Sequence, residues 1–254
     1  MCGASCELRV ASCSIIYKYR FIPVYVAVIC LLVSCGGAEI QPLTLNAPPW
    51  RNGETSVYQI TDSNGVAAGT ARYELAASDG WTIRREIVAQ GATETVVIDV
   101  SQAELRPQNS LLTRVNPDGE QRVKSTYNSG GVDMELTSVQ NITTYQHFDI
   151  PSDAREQETL FHVVRALPLA TGYATQINSF VTTSGRIDRV TVQVMKAETI
   201  TVPAGTIDAW VVELETRTGK TSAWIERAAP QRLIKYVDGG NGGTFELSEY
   251  TPGE

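Results

Sequence analysis

The chain has 254 residues, with 21 Lys and Arg against 28 Asp and Glu, for a net charge of −7. That balance argues against a nucleic-acid binder working by phosphate neutralisation, and against tight adhesion of the folded part to anionic lipid. Cysteines fall only at 2, 6, 13, 30 and 35, so whatever folds beyond residue 35 holds together without a disulfide.

Lys18 to Gly37 reads KYRFIPVYVAVICLLVSCGG: two basic residues, fourteen mostly apolar ones from Phe21 to Ser34, then a cysteine and two glycines. As a helix the apolar run is about 21 Å long, short of the ~30 Å hydrocarbon core. A basic start, a short apolar middle and a small residue before the cut describe an export signal. Its end, Leu32-Val33-Ser34-Cys35, resembles the lipobox of bacterial lipoproteins. That resemblance implies removal of residues 1–34 as a signal peptide and diacylation of Cys35, with fatty chains such as palmitate. Two or three chains anchor stably at about 0.8 kcal/mol per buried methylene. The expected location is the extracytoplasmic face of the cell membrane or outer membrane. An uncleaved N-terminal anchor and an ordinary secretory cut are the alternatives; the seventeen residues before Lys18, with Pro23 and Tyr25 in the run, depart from the usual signal. Setting aside Arg9, Lys18, Arg20 and Glu7 leaves 18 basic and 27 acidic side chains, a net charge of −9. Residues 35–52, with Pro42, Pro48 and Pro49, read as a flexible linker of roughly 23 Å root-mean-square span. Trp50 is its candidate docking residue.

From Gly53 to Tyr250 the signal is β. Val, Ile, Thr and Tyr runs are punctuated by Asn64-Gly65, Asp79-Gly80, Ser184-Gly185 and similar pairs. Asn116-Pro117-Asp118-Gly119 and Val202-Pro203-Ala204-Gly205 each carry the pattern of a hairpin turn with a left-handed fourth residue. Strands alternate: Val190, Val192 and Val194 share a face, as do Val96, Ile98 and Val100, and Trp210, Val212 and Leu214. One face buried and one wet makes a curved antiparallel sheet, an open or half barrel of about nine strands, in a mainly β domain over residues 53–250. A single helix interrupts it near 153–166, capped at Ser152-Asp153 and stopped before Pro168, with Leu160, Val163, Val164 and Leu167 as its apolar stripe.

Chemistry is sparse. His147 has only Asp149 on its strand face and His162 lies in another element, so no metal site is expected. No nucleophile elbow or mature cysteine appears. Glu213 and Glu215 share a strand face about 7 Å apart, a separation that glycosidases use, but alternating carboxylates on a wet strand are ordinary. The expectation is a non-enzyme without cofactor. Trp81, Tyr173, Phe180, Trp210, Trp224 and Phe245 are the candidate lining of a lipid-sized cavity, or else ordinary core.

Residues 199–210, TITVPAGTIDAW, followed by VVELET and TSAWIERAAPQRLIKY, resemble the bacterial envelope family called domain of unknown function 3108. The matching positions are Val202 to Thr206, Trp210, Ala223, Trp224, Pro230, Leu233 and Lys235, with Gly53-Glu54 and Ala68-Gly69 resembling that family's start. The resemblance implies a layout similar to the lipoprotein-carrier and lipoprotein-receptor half-barrels, in which a curved sheet wraps a helix and holds acyl chains. Two functions are therefore expected: a lipid-anchored, non-enzymatic binder of a lipid or other hydrophobic ligand, or a structural or accessory envelope protein that binds a protein or glycan. Beyond the membrane and such a ligand, the sequence identifies no partner protein.

Overall fold

The computed structural model describes residues 38–240 and 242–254, so the signal segment and Cys35 lie outside the described residues. These described residues form one compact unit carrying its own core. The alternating runs become strands β1 (Thr55–Thr61), β2 (Ala67–Ala77), β3 (Trp81–Ala89), β4 (Ala92–Val100), β5 (Pro107–Asn116), β6 (Gly119–Tyr127), β7 (Gly131–Thr137) and β8 (Thr143–Asp149). After the crossing segment come β9 (Arg155–Glu156), helix α1 (Leu160–Arg165), β10 (Ala174–Val181), β11 (Arg186–Val202), β12 (Gly205–Glu215), β13 (Lys220–Glu226), β14 (Leu233–Val237) and β15 (Thr244–Thr251).

All fifteen strands make one sheet, in the order β8-β7-β6-β5-β4-β3-β2-β1-β15-β14-β13-β12-β11-β10-β9. It consists of two antiparallel meanders joined where the first strand pairs with the last, Thr55 opposite Thr251. The exception is β9, which runs parallel to β10 because the chain re-enters the sheet through the helical crossover. The sheet curls without closing into a barrel. Its β8 edge nears the other half through Phe148, whose ring is 5.8 Å from that of Phe180. Gly185 makes this approach fit: a Cβ there would lie 2.3 Å from the Phe148 ring.

The two Pro-containing hairpin turns form as expected, with Gly119 and Gly205 at positive φ of 132° and 125°. Val190, Val192, Val194, Val96, Ile98 and Val100 are all buried on the inner face. The helical stripe is inside too: Leu160, Val163, Val164 and Leu167 pack within the curl. The helix is shorter than the 153–166 segment, because Arg155–Glu156 bond to β10 as a strand and Gln157–Thr159 make only a 3₁₀ turn. The turn is capped by Glu156, whose carboxyl accepts from the Glu158 N–H at 2.6 Å, and not by Ser152-Asp153; α1 follows it with Thr159 at its N-cap position and no side-chain cap bond.

The 35–52 stretch is a correction from Gln41 onward. Gln41 N–H donates to the Ala174 carbonyl, Asn46 N–H donates to the Ala166 carbonyl, and Trp50 is 4% exposed. Pro42, Pro48 and Pro49 point to a flexible linker. Leu43, Leu45 and Trp50 instead bury against the core, and that burial offsets the entropy of ordering the segment.

Candidate functional site

Inner faces and helix together leave a cavity of about 820 Å³ at one mouth of the curl. Register places its apolar wall: Ile60 of β1 and Tyr236 of β14 both lie opposite Phe245 of β15, so three side chains share one row. Tyr236 and Phe245 stack at 4.1 Å, and Phe161 of α1 lies against Tyr236 at 4.5 Å. Leu160, Ile87 and Leu214 extend this surface. Burial raises the Tyr73 and Tyr236 phenols above their ordinary values, so both remain neutral hydrogen-bonding groups at physiological pH.

A charged cluster crosses the same cavity. Alternation in β3 turns Arg85 inward between Ile83 and Ile87, opposite Tyr73. Its guanidinium pairs with Glu158 at the start of the helical segment and with Glu94 of β4 at 2.5 Å; Arg114 of β5 pairs with the other Glu94 oxygen. Burial works against the charge on Arg85, but Glu158, Tyr73 and Glu94, with Tyr236, together more than offset it. The Glu158 carboxyl is pushed upward by burial, opposed by Arg85 and reinforced by the nearby Glu94 and Asp238 charges. Asp62 and Asp238 stand at the rim, where their carboxylates accept backbone N–H groups of their own turns.

The opposite end is filled. Trp50 meets Trp81 edge-on at 5.9 Å and His162 at 5.6 Å. Beneath them Arg165 and Glu54 form a buried ion pair of 2.7 Å, and Tyr250 donates to the second Glu54 oxygen. Burial and the neighbouring Arg165 push His162 down to about 3, so it stays neutral. A separate buried acid, Glu156, accepts from the Thr182 hydroxyl at 2.7 Å, and burial holds its carboxyl well above the usual range.

Of the six candidate lining residues, only Phe245 reaches the cavity. Trp81 begins β3 at the filled end, whereas Ala89 at the other end of that strand lines the mouth. Tyr173 is buried core, and Phe180 belongs to a second apolar cluster with Val132, Met134 and Ile150. Trp210 is partly buried in an open cleft under the Arg227 guanidinium, 4.6 Å from its ring. Trp224 points out: Ala223 and Ile225 take the inner positions of β13, and its indole N–H donates to Glu198 at 2.6 Å. Aromatic content marks the outer face at Trp224 as readily as an inner one, and it gives no height along a strand. The better signal was a charge in an inward slot of an apolar alternation: Arg85 after Ile83, Glu94 before Val96 and Glu54 before Tyr58. Glu213 and Glu215 are both bridged by Lys220, and the exposed His147 ring bonds Asp133 at 2.7 Å, which raises its proton affinity.

A known structure shares the architecture. A β-barrel-like protein of the DUF1849 family from Brucella abortus superposes with a TM-score of 0.53 at 11% identity, covering 80% of this chain and 98% of that one. A candidate lipoprotein from Parabacteroides distasonis (TM-score 0.31, 12% identity, 82% and 100% coverage) and a candidate exported protein of YmcC-like fold from Bacteroides fragilis (0.33, 11%, 82% and 100%) are more distant. No curated protein matches the sequence. The family model for the protein family of unknown function DUF3108 matches residues 57–248, nearly the whole β domain, and the chain belongs to that family.

Proposed function

We propose that this is an envelope protein, lipid-anchored through Cys35 at an extracytoplasmic membrane face, that binds a lipid or other hydrophobic ligand without transforming it. The observation that carries the reading is the mouth cavity of about 820 Å³ with Phe161, Tyr236 and Phe245 facing it. Its volume lies within the ~300–1,000 Å³ typical of ligand sites, and its aromatic wall suits an apolar body. The lipobox-like LVSC supports the anchor, and a tether would keep the domain close to the membrane that supplies such ligands.

An uncharged hydrophobic fluorophore, N-phenyl-1-naphthylamine, tests the cavity. It should bind residues 36–254 saturably, and Ala68→Trp at the mouth should abolish that binding with the fold intact by circular dichroism. Equal binding by both proteins would refute the reading. A structural or accessory role with a protein or glycan partner is the second reading. It draws support from the β8 edge, where Tyr145 is 76% exposed beside the 62% exposed Ile142.

A further inference from the structure

The charged side chains around the mouth do not balance. Two arginines, Arg85 and Arg114, face four carboxylates: Glu94, Glu158, Asp62 and Asp238. Glu94 and Glu158 are spent on the arginines. Asp62 and Asp238 have no cationic partner among the described residues; each is held only by N–H groups of its own turn.

The topology puts this uncompensated pair together. Asp62 follows the last residue of β1 and Asp238 the last of β14, and Thr61 and Val237 both register with Thr244 of the strand between them. Two strand spacings separate them, roughly 10 Å. They therefore lie one inward position beyond Ile60 and Tyr236, the two ends of the row with Phe245 between them, on the side of the mouth. A ligand crossing that row in the strand direction has its apolar body on Ile60, Phe245 and Tyr236 and its outer end between two carboxylates.

We infer that the cavity selects amphiphiles with a cationic end, an alkylammonium in chemical class, and disfavours those ending in a carboxylate or phosphate. This rests on the cavity being a ligand site, as proposed above. The two rim aspartates determine specificity; the rings supply the apolar contact.

The test is isothermal titration of residues 36–254, each probe below its micelle concentration, with three decyl amphiphiles: decyltrimethylammonium, decyl maltoside and decanoate. Charge interactions across several ångströms of partly screened space are worth roughly a tenfold preference. The expected order is thus ammonium tighter than maltoside, and maltoside tighter than decanoate. Asp62→Asn with Asp238→Asn keeps the Oδ1 acceptors of both turns and should weaken the ammonium by about three- to tenfold, bringing it level with the maltoside. Asp79→Asn with Glu249→Gln removes the same charge away from the cavity and should change nothing. Decanoate binding as tightly as the ammonium would overturn the selectivity while leaving the ligand site intact. Equal weakening by the two double variants would overturn the rim assignment, since bulk charge would then explain the preference. If none of the three binds, the cavity is no ligand site and both proposals fall.

Discussion

Glu54 and Arg165 satisfy one another inside the fold, with side-chain exposures of 2% and 5%. Arg165 also donates to the carbonyls of Gln231 and Pro230, so α1 is tied to the segment before β14. Removing one member of such a pair leaves the other charged and dry, which costs about 3–5 kcal/mol. Arg165→Met should therefore lower the urea unfolding free energy by about that amount. Little change would mean that water reaches Glu54. Glu156 acts through pH. Its folded proton affinity lies above the unfolded one, so its contribution is fully present below the ordinary value of 4.5 and fades as pH rises through neutrality. His162 has the opposite sense: its contribution is intact above the ordinary 6.5 and is lost as pH falls toward 3. Stability should peak in mildly acid solution and decline toward pH 8, by at most about 1.4 kcal/mol per pH unit for one group. Glu156→Gln can still accept the Glu158 N–H and donate to the Thr182 hydroxyl, so it should flatten the alkaline limb. A slope that survives the substitution would assign it elsewhere.

At the scale of elements, the helix and the docked N-terminal segment fix which end of the curl is open. Trp50 is held between Trp81, His162 and the Arg165 guanidinium, 5.1 Å from its ring. Trp50→Ala should cost about 3–5 kcal/mol, as large core truncations do, and should make residues 41–52 sensitive to protease. A loss below about 1 kcal/mol would restore the flexible-linker expectation. Much of this level was legible in the sequence. Period-two alternation gave the inner faces of β4 and β11, and the spacing of Leu160, Val163, Val164 and Leu167 gave the buried stripe. The helix start was misplaced because Ser152-Asp153 resembles a cap, while hydrogen bonds between β9 and β10 hold Arg155 and Glu156 extended. Cavity residues were legible in type but not in place. Alternation says that Phe245 points inward; only cross-strand register and the filled far end say that it meets Tyr236 and Phe161 at the mouth.

For the molecule as a whole, pairing of β1 with β15 makes one sheet from two meanders, and wrapping that sheet around a short helix leaves one mouth wide enough for a ligand. Anchoring belongs to this scale as well. Cys35→Ala should move the protein from the membrane to the soluble fraction, and a variant that stays membrane-bound would favour the uncleaved anchor. A hydrophobic ligand held in the mouth cavity in the cell would be carried through purification. Its most direct measurement is mass spectrometry of organic extracts from residues 36–254, exported to a periplasm and purified without detergent. One class of apolar or amphiphilic molecule is expected near one per protein, absent from the Ala68→Trp variant. An empty extract from a folded monomer, or the same molecule from both proteins, would contradict ligand binding at the mouth.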